Sequence, residues 1–221
     1  MIWGLQTSDN ILRTMERADG DMLKVQTVDQ SIDLGYKPPR NIQWLTGRRL
    51  DETFVPRRMQ LGFGRREAVE PDYLQLHLVP VVSHLMQEVI EEAEPGVHQF
   101  VQIDALSRAG ERYEKTYSWF NCCQRVFALD IEKTQPPMKP FPKKPTTPVN
   151  PYGHHEAMAF DIVASPESWK PVFHADKIGT RQLFVDGGFD RYLLLADDLK
   201  KKLEAANLTG FRFVGPYELS E

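Results

Sequence analysis

Cysteine is nearly absent from this 221-residue chain: there are two, and they are neighbours, Cys122 and Cys123. Adjacent cysteines cannot staple distant elements, and a bond between them would be strained. A disulfide-built scaffold is therefore excluded, and a reducing compartment, the cytoplasm, is expected. No apolar run approaches the roughly 18 residues that span a bilayer, so no membrane partner is expected. The first residues, Met1-Ile2-Trp3-Gly4-Leu5-Gln6-Thr7, lack the basic region and apolar stretch of a secretory signal. An excess of positive charge is missing too: the formal net charge is −4, which argues against a nucleic-acid partner. What is present is ordinary for a folded protein, 41% hydrophobic and 26% charged residues. A 25.5 kDa chain of this kind buries about 70% of its unfolded surface, enough for a substantial core.

The charge is unevenly spread. Residues 40–66 hold Arg40, Arg48, Arg49, Arg57, Arg58, Arg65 and Arg66, opposed only by Asp51 and Glu52. Residues 71–110 reverse this, with Asp72, Glu88, Glu91, Glu92, Glu94 and Asp104 against Arg108. The two stretches either face each other in the fold or present separate faces to partners. Further on, residues 135–151 carry a proline tract in which Pro142, Pro145, Pro148 and Pro151 recur every third residue, the period of a polyproline II helix. No helix or central strand passes through such a segment. It reads as a connector between an N-terminal part, 1–134, and a C-terminal part, 152–221, the whole forming one compact unit.

Two stretches resemble each other. Leu74 to Val101 and Tyr192 to Val214 each read as an apolar run, a short helix, a glycine stop and a strand. Ser83 and Asp197 are expected to cap the helices. Leu85/Val89 and Leu199/Leu203, four apart, are expected to mark their buried faces, and Gly96 and Gly210 their ends. Residues 100–106, 111–121, 125–131, 156–163 and 181–185 read as strands, with a turn at Gly110. Ser8 to Ala18 is predicted as a helix, and Met22–Val28 and Asn41–Leu45 as strands. The fold class is α+β, a mainly antiparallel sheet with a few short helices and two related strand–helix–strand units.

The search for chemistry is largely negative. There is no Gly-x-Ser-x-Gly elbow and no phosphate-binding loop, and Gly62-Phe63-Gly64 reads as a turn. The chain has no His-Glu-x-x-His and no Cys-x-x-Cys. A three-dimensional site combining His154 or His155 with His174 and Asp161 or Asp176 is the basis of an alternative reading, a small metal-assisted hydrolase or modification-reversing enzyme. Cys122 and Cys123 lie in apolar, strand-like sequence without the electropositive setting of a nucleophile. The carboxylates Asp186, Asp190, Asp197 and Asp198 are sufficiently explained as turn and cap residues. The arginine pairs Arg48-Arg49, Arg57-Arg58 and Arg65-Arg66 recur every eight or nine residues and suit carboxylate or phosphate groups. No cofactor or metal is expected. A third reading makes the chain an adaptor that docks through its proline tract.

Four motifs, in order, resemble a known family. They are Gly47-Arg48-Arg49-Leu50; Pro71-Asp72-Tyr73-Leu74 with Pro80-Val81-Val82-Ser83; Trp119-Phe120-Asn121 with Val126-Phe127-Ala128-Leu129-Asp130; and Leu193 through Val214 with its Leu-Thr-Gly-Phe-Arg-Phe ending. Over residues 45–221 the chain is similar to bacterial immunity-protein family eleven of polymorphic-toxin systems. It departs from the pattern at Cys122-Cys123-Gln124-Arg125 and in the proline tract. The resemblance implies a cytoplasmic protein that binds a cognate toxin delivered between competing bacteria and neutralises it by occlusion, without catalysis. In that reading the motif residues are scaffold, with Leu129 in the core and Asp130 closing a turn. Three charged faces are candidates for the contact: the arginines Arg48, Arg49, Arg57 and Arg58; the acidic stretch Glu88, Glu91 and Glu92; and the patch holding Asp186 and Asp190.

Overall fold

The computed structural model describes residues 1–8, 14–18, 47–62, 70–76, 79–107, 109–136, 170–187 and 189–221. The expected strands at 22–28, 41–45 and 156–163, with His154, His155, Arg40, Arg65, Arg66, Arg108 and most of the proline tract, lie outside them.

Twelve strands and three helices are present among the described residues: β1 (Ile2–Thr7), β2 (Thr14–Ala18), β3 (Arg58–Gly62), β4 (Tyr73–Leu76), β5 (Val79–Ser83), α1 (His84–Ala93), β6 (Gln99–Leu106), β7 (Tyr117–Asn121), β8 (Arg125–Val126), β9 (Val172–His174), α2 (Ala175–Ile178), β10 (Leu183–Asp186), β11 (Phe189–Ala196), α3 (Asp197–Ala205) and β12 (Phe211–Ser220). They form two six-stranded sheets, ordered β2-β3-β6-β7-β5-β4 and β8-β10-β11-β1-β12-β9. Most pairs are antiparallel, and the parallel ones are β3/β6, β8/β10 and β9/β12. The α+β expectation holds.

The resemblance between the two stretches is a topological identity. In one sheet the spatial order β3-β6-β7-β5-β4 is traced by the chain as β3, β4, β5, α1, β6, β7. In the other, β9-β12-β1-β11-β10 is traced as β9, β10, β11, α3, β12. Every corresponding pair has the same sense: parallel at β3/β6 and β9/β12, antiparallel elsewhere. The second unit also carries α2 between β9 and β10, and the middle strands differ in origin. In the first unit β7 follows β6 along the chain; in the second the same place is filled by β1, from the opposite end of the sequence. The expected helix over 8–18 is therefore corrected in its described part. Residues 14–18 are β2, held antiparallel to β3, and this pairing overrides the local pattern.

The alternation of side chains across each strand sorts the core into three clusters. On β5, Val79 and Val81 face one way and Val82 the other; on β7, Tyr117 and Trp119 oppose Phe120; on β11, Tyr192 and Leu194 oppose Leu193 and Leu195. The outward sets build one cluster per sheet. The inward sets, with Leu5, Met86, Ile90, Leu199 and Leu203, build a cluster shared by both sheets and both long helices. The buried face of α1 is therefore Met86/Ile90. Val89 only flanks it, and Leu85 is 48% exposed, a one-residue shift from the expected face. Two buried aromatics place their polar tips on backbone carbonyls: Trp119 Nε1 donates to that of Pro56 at 2.8 Å and Tyr117 Oη to that of Pro71 at 2.9 Å.

The helix ends divide in the same way. Ser83 Oγ accepts from the Met86 amide at 3.2 Å, the expected cap. Asp197 is not a cap but the first residue of α3, where its carboxylate accepts from the Trp3 indole at 3.0 Å and pairs with Lys201 at 2.8 Å. Gly210 does not end α3 either. That helix stops at Ala205, and Asn207 takes the left-handed conformation. Gly210 instead lets two segments touch: its φ is +98°, and a Cβ there would lie 2.5 Å from the Tyr73 carbonyl. The neighbouring Thr209 carbonyl accepts from the Asp72 amide at 2.8 Å. Gly210→Ala is thus expected to cost about 1–3 kcal/mol, read as a lowered urea midpoint with unchanged slope.

Candidate interaction surface

Among the described residues the arginine stretch meets the acidic one chiefly at Arg49 and Arg58. Arg49, in the turn before Leu50, donates to the carbonyls of Gly96 (2.7 Å) and His98 (3.3 Å), just beyond the end of α1. Arg48 offers its own carbonyl to Asn121 Nδ2 at 2.7 Å, an architectural contact. Arg57 pairs with Glu52 at 2.7 Å. Arg58, opening β3, reaches Asp104 on β6 at 3.8 Å. Asp104 is also approached by Arg112 at 3.0 Å.

These contacts border a shallow groove of about 370 Å³ lined by Arg57, Gln102, Ile103, Asp104, Ala105, Arg112, Tyr113, Lys115 and Thr116. Its floor is apolar, since Ile103 and Ala105 belong to the outer cluster of this sheet and Tyr113 packs on it. Its rim carries three positive side chains, each on a carboxylate: Arg57 on Glu52, Lys115 on Asp72, and Arg112 on Asp104, which Arg58 also approaches. Arg112, Tyr113 and Lys115 were not among the sequence candidates. The signal that places them was legible, because the Gly110 turn folds residues 112–117 back along β6, with Leu106 bridged to Arg112 and Ile103 opposite Tyr117.

The acidic candidates on α1 form a different surface. Each carboxylate is engaged nearby: Glu88 with His84 at 3.4 Å, Glu91 with the Gly96 amide at 3.0 Å, and Glu92 with Lys202 of α3 at 2.7 Å. In the third candidate patch, Asp186 turns inward. Asp186 has no exposure, and its Oδ2 accepts from the amides of Ala128 (2.6 Å) and Leu129 (3.1 Å), tying the β8 edge to β10. Asp190 lies on β11, its side chain outside the described set. What sequence alone missed is that a carboxylate beside a Gly-Gly turn is used inward.

Two more buried carboxylates join the halves of the molecule. Glu94, closing α1, accepts from Gln124 Nε2 (2.8 Å) and the Gln182 amide (2.9 Å) on one oxygen. On the other it accepts from the Leu183 amide and meets His98 Nε2, both at 2.9 Å. Burial works to raise its pKa, but the bonds from His98, Gln182 and Gln124 outweigh it and hold the carboxyl below its ordinary value. Asp72 does the same between β4 and the approach to β12, accepting from Ser83 Oγ (2.7 Å), Lys115 Nζ (2.7 Å) and the Thr209 amide (2.9 Å). Burial again pulls upward, and these partners again prevail.

Neither the cysteines nor the histidines form a reactive centre among the described residues. Burial pushes the Cys122 thiol well up and the Cys123 thiol up to about 11, the opposite of an activated nucleophile. His174 lies 3.3 Å from Ser220 Oγ and 3.8 Å from Asp130. Ser220, however, already donates to Asp130 at 3.0 Å, so the three close a triangle at the end of β12 rather than a relay. Asp130, which also accepts from the Lys133 amide at 3.1 Å, closes the expected turn, and Leu129 is buried. No group of three or more His, Cys, Asp or Glu residues able to hold a metal occurs among the described residues.

No curated protein matches the chain. The immunity protein family Imm11 matches residues 12–216, a span that begins well before the motifs at residue 47 and takes in both strand–helix–strand units. With a match over almost the full length, this chain belongs to the Imm11 immunity protein family.

Proposed function

We propose that the chain protects its producer by binding one cognate antibacterial toxin and covering that toxin's working surface. The observation that carries this reading is the family match over residues 12–216, since an immunity protein has a toxin as its counterpart. In this reading the toxin passes between competing bacteria as part of a polymorphic-toxin system, and the encounter takes place in the cytoplasm. Occlusion needs no chemistry from the inhibitor, only an interface of about 1,600 Å² on a scaffold that keeps its shape. The core cluster shared by both sheets and the buried pins at Asp72 and Glu94 support such a scaffold.

The test is co-expression with a candidate toxin domain drawn from the genes neighbouring this chain's own. Protection is expected to require stoichiometric amounts, and a complex with one copy of each chain should survive gel filtration. Protection by a small molar fraction of the chain, leaving a covalently altered toxin and no complex, would replace occlusion by enzymatic reversal.

A further inference from the structure

We infer that the groove between β3, β6 and residues 112–116 is the centre of the contact with the toxin, and that the toxin enters it with a projecting acidic segment. The inference rests on the occlusion reading above and adds to it a place and a partner chemistry.

Four observations converge. The groove is the concave feature that the sequence's arginine stretch borders, and its composition is that of an interface centre: an apolar floor of Ile103, Ala105 and Tyr113 beneath a guanidinium rim. The arginines are available, with side chains 52% (Arg57), 58% (Arg58) and 79% (Arg112) exposed. Their donor capacity also exceeds what the fold uses. Each guanidinium has five N–H groups, yet Arg58 and Arg112 share the one carboxylate of Asp104, and Arg58 holds it only at 3.8 Å. Finally, Arg57 and Lys115 are matched by Glu52 and Asp72, whereas among the described residues Arg58 and Arg112 have only Asp104 between them, and this one unmatched guanidinium on a protein of net charge −4 favours an acidic partner there. On the competing face of α1 each candidate carboxylate has its own partner: His84 for Glu88, the Gly96 amide for Glu91 and Lys202 for Glu92.

A carboxylate-bearing segment entering the groove would displace Asp104 from Arg112 or bridge Arg58 and Arg112 beside it, forming the bidentate pairs that guanidinium groups favour. No bond is made or broken, and the gain appears as faster association at low salt.

The experiment has two arms. In the first, decaglutamate is titrated into the full chain at 20 mM salt and followed by NMR. Shifts are expected at residues 57–60, 102–105 and 112–116, with none from decalysine, and Arg57→Glu/Arg112→Glu should weaken binding at least tenfold. In the second, association with the same candidate toxin domain is measured for the same variant, for Arg58→Ala, and for Glu88→Lys/Glu92→Lys as the control face. The groove variants should associate at least tenfold more slowly at low salt, the difference shrinking at high salt, while the control is unchanged. Exposed ion pairs contribute little to folding, so these variants should keep the wild-type melting temperature, which is measured alongside. Wild-type complex formation with undiminished association of the groove variants would overturn the groove and leave occlusion standing. Protection by the wild type without any complex would remove occlusion, and the groove with it.

Discussion

Deleting residues 1–7 is expected to abolish cooperative folding of the C-terminal sheet. β1 is no appendage: it lies between β11 and β12, pairing Ile2 with Ala196 and Leu5 with Leu193 on one side, and Leu5 with Phe213 on the other. Its side chains feed two clusters, Ile2 the outer one and Leu5 the one shared with the helices. Truncating either residue to Ala alone should cost about 2–5 kcal/mol. Removing the whole strand also leaves two ladders of backbone donors and acceptors unpaired in a buried setting. Against a typical total stability of about 5–15 kcal/mol, the loss is decisive. Circular dichroism and urea unfolding of the deletion variant should show a partly folded, aggregation-prone chain. A deletion variant with a wild-type urea transition would show that β1 is dispensable.

The second large effect is expected at Glu94. Glu94→Ala strands four donors, from His98, Gln124, Gln182 and Leu183, in a site where the carboxylate is only 8% exposed. Breaking one side of such a buried network costs about 3–5 kcal/mol. Glu94→Gln keeps one acceptor oxygen and should lose roughly half as much. The pH dependence follows from the same bonds. Glu94 and Asp72 both have folded-state pKa values below the ordinary ones, while in the unfolded chain such groups titrate near about pH 4. As the pH falls through that range the unfolded chain takes up protons that the folded one refuses, so stability is full above it and drains away below. Urea midpoints measured from pH 7 to pH 3 should fall steeply for the wild type and less steeply for Glu94→Gln. Equal slopes would remove Glu94 from the account.

Much of residues 74–221 is legible in the sequence. The Ser83 cap, the Leu199/Leu203 face, the strands near 100–106 and 181–185, and the likeness of the two strand–helix–strand units all rest on contacts local in sequence, where spacing and capping chemistry speak directly. The failures share a physical cause as well. Ile2-Trp3-Gly4-Leu5 was not assigned to any element because its partners lie some 190 residues away, and no local pattern encodes a neighbour that distant. β2 read as a helix for the same reason. Asp186 read as a surface carboxylate because sequence does not reveal that the Ala128 and Leu129 amides point at it. Of the groove, the arginines were visible as a charge block. Their convergence with Arg112 on Asp104 needed the β3/β6 register, which pairs Arg58 with Asp104.

The borrowed middle strand also sets a timetable. The first unit, β3 through β7, is contiguous and can close while the rest of the chain is still on the ribosome. β1, though made first, has no partners until β11 and β12 emerge, roughly 10–40 s later at ~5–20 residues per second. Throughout that interval β1, with Ile2 and Leu5 uncovered, must be kept from other sheet edges. A nascent chain that has not reached residue 211 lacks β12, and with it the strand that holds both β1 and β9 in register. The second sheet therefore closes only once residues 211–220 have been made, long after its own middle strand.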